Sequence, residues 1–385
     1  MVVGRKNAGP GVTLGAVTAG LFALASGCAD DRGSSPLEGI PTAFDHTEYL
    51  AGTLLGEPLV QADVLGLPLT LASAGDQLFI GDAALSPAIH VARLSDGEIL
   101  ESIGRRGEGP GEFMALPRFF GGAWGTEERI WAYDPALGRA TGIPLGGRVR
   151  RDEDGFEVRR LGLGFSIHDL RPLSDTLLVG WGLWDSARLV IMGHDGKAIG
   201  GLGTVPDPPS LKTLNPMLRQ RAYQPFIAVS PDRSKVALAA WRASRVDLFP
   251  EPMEGREIST DGPFSFPADV ELTETLRANR LMRGPASRAG HLGIAATESA
   301  VITLFSGRLE YAFRDRMDEG EFLHVYQWDG SFVRAYRLDR AARAIACADG
   351  SCNTLLAVVW SPAPAVIRYH LPEGWDAPGC HFSQG

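Results

Sequence analysis

The chain has 385 residues, 44% of them hydrophobic, with 37 lysine and arginine against 46 aspartate and glutamate, for a formal net charge of −9. That length allows two domains or one large closed one. The acidic balance argues against nucleic acid as a partner, because phosphate contacts need clustered cations. Lysine is confined to Lys6, Lys197, Lys212 and Lys235, so nearly every basic group is a guanidinium. Arg5 and Lys6 open the chain, an apolar run from Val12 to Ala25 follows, and no acid precedes Asp30. A run of roughly 14 residues is too short to span a bilayer and reads as the core of a secretory signal.

The run ends in LASGC, which resembles the lipobox of bacterial lipoproteins, with Cys28 as the lipidated residue. The place three before the cysteine holds Ala25, where that pattern prefers Leu, Val or Ile. The resemblance implies a lipoprotein signal peptide over 1–27, a flexible tether over 28–45, and a cell-envelope address. Ala29 follows the cysteine, so nothing argues for retention at the inner membrane, and the outer membrane or cell surface is expected.

Further along, VARLSDGEILESIG, VIMGHDGKAIGGLG and HVYQWDGSFVRAYR share one layout: an apolar strand, Asp-Gly, and a second alternating strand. Asp-Gly favours the type I′ turn that suits strand twist, so three β-hairpins are expected at Gly97, Gly196 and Gly330. Weaker turns at Gly147 and Gly255 fill the interval. Each hairpin follows another strand pair, from LPLTLAS with QLFIGD to AARAIAC with TLLAVVW. Six units of four short strands are the signature of an all-β, six-bladed β-propeller over 46–372, with 373–385 as a C-terminal tail. Two wide intervals hold PSLKTLNPMLRQRAY and DVELTETLRANRLMRG, whose Leu and Met spacing predicts helical inserts. The sixth unit lacks a clear fourth strand, which the segment from Glu48 to Leu55 is expected to supply.

GRRGEGPGEF, residues 104–113, falls where the outer strand of the first blade crosses to the inner strand of the second. It lacks the Lys-Ser or Lys-Thr of a P-loop, and Glu112 breaks GxGxxG. It reads as a corner, with Phe113 as an anchor between blades. GEGPGEFMALPRFFGGAWGTEERIWAYDPALGRA is similar to an NHL-type repeat, and the chain more broadly resembles the six-bladed propeller lipoproteins, including the TolB-like ones. That resemblance implies an extracytoplasmic propeller and little about a reaction.

Asp82 and Asp134 close second strands at equivalent places and are expected to cap loops through backbone hydrogen bonds rather than hold Ca²⁺. Trp184, Trp241 and Trp360 fall at matching strand ends, where they either stack a ring or pack between blades. Arg105, Arg106, Trp184, Trp241 and Arg242 form the expected ligand face, suited to an anionic group beside a ring. His168 and Asp169 are adjacent on an inner strand, and alternation sends neighbours to opposite faces, which argues against an acid–base pair. Cys347 and Cys352 are a disulfide candidate across a tight turn. No metal site is apparent.

The first reading is a non-enzymatic binding or scaffold module for a small molecule or an envelope protein, without cofactor. The alternative is a Ca²⁺-dependent lactonase, gluconolactonase or strictosidine-synthase-like hydrolase. Those enzymes use Asn and Glu in the channel, and this chain has few asparagines. A carboxylate lyase or glycosidase is the third.

Overall fold

In each of the three hairpins glycine alone takes the left-handed conformation, with φ of 77° at Gly97, 81° at Gly196 and 89° at Gly330. The preceding aspartate instead accepts a hydrogen bond from the amide two residues on, at 3.0 Å for Asp96, 3.0 Å for Asp195 and 2.9 Å for Asp329. The expected type I′ turns are therefore Asx-closed turns with one left-handed residue, since an Asp side chain can close the loop itself.

The computed structural model describes residues 40–122, 128–146, 156–162, 164, 166–274 and 279–378. The signal segment, Cys28, the tether up to residue 39, the turn at Gly147 and Cys380 lie outside the described residues. Blade one comprises Pro68–Ala74, Gln77–Asp82, Ile89–Arg93 and Ile99–Ile103; blade two, Arg118–Gly121, Arg129–Asp134, Arg139–Pro144 and Glu157–Arg160. Blade three comprises Ile167–Pro172, Leu177–Gly182, Leu189–Gly193 and Ala198–Leu202; blade four, Pro225–Val229, Val236–Ala240, Val246–Glu251 and Arg256–Thr260. Blades five and six share the long strand Phe332–Cys347. Its first half is the outer strand beside His291–Ala296, Ala300–Phe305 and Gly320–Gln327, and its second half is the inner strand beside Thr354–Val359 and Ala365–His370. Each inner strand touches those of both neighbours, and the sixth touches the first, so the ring closes.

Apolar cores fill the joints between blades. Phe79 meets Phe119 and Ile130 between blades one and two, Trp131 meets Leu170 and Val190 between two and three, and Val179 meets Leu238 and Phe249 between three and four. Leu248 meets Val301 and Tyr326 between four and five, Ile302 meets Leu355 between five and six, and Leu356 meets Leu78 and Ile80 between six and one. At about 25 cal/mol per Å² of apolar surface, burial in these six joints is the main stabilising force.

Closure differs from expectation by a few residues. The segment expected to complete blade six forms Leu50–Leu54, which instead runs parallel to the outer strand of blade five, pairing Leu50 with Ala335 and Leu54 with Leu338. Glu57–Val60, just beyond it, is antiparallel to Ala365–His370 and supplies the fourth strand of blade six. The apolar side chains decide this: Leu59 and Val60 are buried in the joint between blades six and one.

Residues 41–45, expected as the end of the tether, are docked on the ring. Phe44 stacks on Phe264 and Phe266, and the Pro41 carbonyl accepts from Arg288. The C-terminal tail is docked through residue 377, with Trp375 buried and the Ala377 carbonyl accepting from Arg334 at 2.9 Å. Of the two expected helical inserts, the first forms the helix Pro216–Ala222, capped by Asn215. The second is the hairpin Val270–Glu274 with Asn279–Arg283, in which Val270 and Leu281 pack on the apolar cluster beneath the first insert while Leu272 is exposed. Cys347 and Cys352 form a disulfide with Cα atoms 4.7 Å apart.

A candidate binding mouth at the channel end

GRRGEGPGEF is a corner. Arg139 of blade two is 3% exposed and donates to the carbonyls of Glu108, Gly109 and Glu112 at 2.5, 2.6 and 2.6 Å. Phe113 is buried in the joint between blades one and two, and Arg105 is ion-paired to Glu112 at 2.6 Å. Arg106 is exposed, and neither arginine lines the channel, its mouth or the cavity beside the mouth. Asp82 accepts from the amides of Gly66, Leu67 and Ala84, and Asp134 from those of Met114, Ala115, Ala136 and Leu137. Each carboxylate thus fastens a blade crossing to the neighbouring loop.

The central channel has a body of about 430 Å³ lined by all six inner strands. The mouth on the face of these crossings encloses about 310 Å³. Its wall is built by an irregularity repeated in four blades. The ladder shifts register between Pro68 and Thr70, Ile167 and Asp169, His291 and Gly293, and Ala342 and Ala344. Each is a bulge at the mouth end of an inner strand, and a bulge re-aims its extra residue. The residues so displaced, Leu69, His168, Leu292 and Arg343, all line the mouth. This overturns the argument from alternation: His168 and Asp169 are adjacent in sequence yet both face the cavity.

Trp181, Trp241 and Trp360 supply the aromatic wall. Arg343 lies 3.6 Å over the Trp360 ring, whose Nε1 donates to the Pro68 carbonyl at 3.0 Å. Trp184 instead packs on the joint between blades two and three. Trp181 takes the place in the mouth expected of it, and the doubled tryptophan of WGLW was the available signal.

The polar groups of the mouth are incompletely paired. The buried Trp181 Nε1 and Asp318 Oδ1 have no hydrogen-bond partner among the described residues. An unsatisfied buried group costs about 1–3 kcal/mol, so two on residues that line one cavity call for a reason. Asp169 is held by Arg171, leaving its attraction for Arg118 indirect. Among the described residues, no acceptor reaches the largely buried Arg118 guanidinium by hydrogen bond. Burial, then the charges of Arg118 and Arg221, lower the pKa of His168, which is therefore neutral at pH 7 beside Trp181, 5.1 Å between ring centroids.

Over residues 59–349 the sequence matches the TolB-like 6-blade propeller-like family. The chain belongs to that family. No protein of curated function matches it. The TolB-like propeller is similar to a solved candidate exported protein from Bacteroides fragilis NCTC 9343, at 12% identity and TM-score 0.50, covering 84% of this chain and 97% of that one. The Cps50 (Swd1) β-propeller domain of Myceliophteria thermophila matches at 9% identity and TM-score 0.42, over 82% of this chain and all of that one. The first likeness concerns the fold alone. Among the described residues no helix is long and apolar enough to cross a membrane.

Proposed function

We propose that this TolB-like propeller is a binding module of the bacterial cell envelope, lipid-anchored through Cys28, whose ligand enters the mouth with an anionic group toward Arg118 and a flat apolar part among Trp181, Trp241 and Trp360. The observation that carries the reading is that residues lining one cavity carry groups without a partner among the described residues: the Arg118 guanidinium, the buried Trp181 indole N–H and a buried Asp318 carboxylate oxygen. A guanidinium favours oxyanions, and indole rings favour planar apolar surfaces. The likeness to a candidate exported protein and the lipobox-like LASGC support the envelope address.

A glycosidase would need a pair of carboxylates flanking its substrate. The mouth contains Asp169 and Asp318, and Asp169 is already engaged by Arg171. The binding reading is tested by calorimetric titration with 2-naphthoate and with the uncharged 2-naphthol. Binding of the carboxylate, weakened at least about tenfold by Arg118→Gln and left alone by Arg106→Ala, is the expected result. Equal binding of both compounds, or indifference to Arg118→Gln, contradicts it.

A further inference from the structure

Beside the mouth lies a second cavity of about 560 Å³, lined by Arg221 and Ala222 of the helix, Val270, Leu281, Met282 and Arg283 of the hairpin, and Glu310 of a helical turn between the second and third strands of blade five. All three elements are insertions on the mouth face of the ring. Gln224 and Trp241 wall both cavities, and Arg242 completes the second.

Among the described residues the charges of this rim do not balance. Three arginines face one glutamate, and Glu310 is already ion-paired with Arg283. Among the described residues neither Arg221 nor Arg242 reaches a carboxylate by hydrogen bond or ion pair, and Arg242 rests 4.4 Å over the Trp241 ring. Burial, and after it the charge of Arg283, lower the Arg242 pKa to about 10; Asp318, on the mouth side, is the carboxylate opposing this. In a chain of net charge −9 such a concentration of guanidinium groups does not follow from composition. Like charges gathered at a concave site cost energy in the empty protein and favour an anion that joins them.

We infer that the rim cavity is a second anion subsite, so that the ligand is elongated, with a flat apolar body lying along Trp241 and an anionic group at each end, one at Arg118 and one at Arg221 and Arg242. This rests on the mouth being the binding site, and it adds the chemical class of the ligand.

The test is a matched series: 2-naphthoate against 2,6-naphthalenedicarboxylate, and 4-biphenylcarboxylate against 4,4′-biphenyldicarboxylate, titrated calorimetrically into the full mature protein. At least one dicarboxylate should bind about tenfold tighter than its monocarboxylate, the value of one charge-assisted contact. Arg221→Gln, which leaves the Arg242–Trp241 stack in place, and Arg242→Gln should each remove that gain while the monocarboxylates bind as before. Thermal melts confirm that both variants are folded. If the monocarboxylates bind but no dicarboxylate gains, or if the gain survives the double variant, the rim subsite is wrong and the mouth stands. If neither class binds, the mouth reading fails and takes the rim with it.

Discussion

Arg139 shows how one side chain decides the meaning of a motif. GRRGEGPGEF has the glycines of a phosphate cradle, yet three of its carbonyls accept from the buried Arg139 guanidinium, and the amides of Gly107, Gly109 and Glu112, which would have to donate to a phosphate, already donate to Phe113, Glu112 and Gly109. Arg139→Ala should lower stability by about 3 kcal/mol, because it orphans buried carbonyls as well as removing packing. A chemical denaturation midpoint unchanged from wild type would contradict that role. The sequence made the corner legible but not its partner, since Arg139 lies 26 or more residues beyond the loop it holds. The same limit hid the mouth. Period-two alternation assigns His168 and Asp169 to opposite faces, and a bulge cancels alternation without leaving a composition signal.

At the scale of elements, the Asp-Gly turns were legible because left-handed glycine has a local cause. One of these glycines also bears on closure. A Cβ on Gly97 would sit 1.8 Å from the Leu59 carbonyl of the closing strand, whereas one on Gly75, also left-handed, meets nothing within 4 Å. Both alanine variants carry about 1–2 kcal/mol of backbone strain. Gly97→Ala should lose distinctly more than Gly75→Ala by displacing Glu57–Val60, and equal losses would show that this strand does not hold the ring. The parallel strand Leu50–Leu54 was misassigned for a related reason: pairing partners far apart in sequence, here residues 50 and 335, leave no local trace.

The segment leading into Leu50–Leu54 is pinned by buried imidazoles. His46 Nε2 lies 3.0 Å from His324 Nε2, and His46 stacks on Phe322 at 3.6 Å. Burial lowers the pKa of His46 and His291 to about 4 and that of His324 well below 6.5. The folded protein therefore binds fewer protons than the unfolded chain below pH 6.5. This part of its stability is complete above 6.5 and declines as pH falls toward 4. At pH 5 the loss is on the order of 2 kcal/mol for each of His46 and His291. His46→Phe, which keeps the stacking, should flatten the dependence of melting temperature on pH between 7 and 5; an unchanged slope would remove His46 from the account.

For the whole molecule, six repeated units announced the ring, and the repeat survived because every joint needs the same apolar alternation. The insertions were legible as extra length but not as walls of one face, which only the closed ring reveals. Anchoring belongs to this scale too: Cys28→Ser should move the protein from the membrane fraction to the soluble one, and a wild-type protein already soluble after cell breakage would refute the lipid anchor. The central claim is that ligand occupies the mouth, and the eight tryptophans report on it directly. Indole ¹H–¹⁵N spectra recorded during titration with 2-naphthoate should show the Trp181, Trp241 and Trp360 signals moving. Trp181 should shift farthest as its unpaired N–H gains an acceptor, while Trp131, Trp328 and Trp375, buried in joints, stay in place. Binding that moves the joint tryptophans, or leaves the three mouth signals unchanged, would contradict the account.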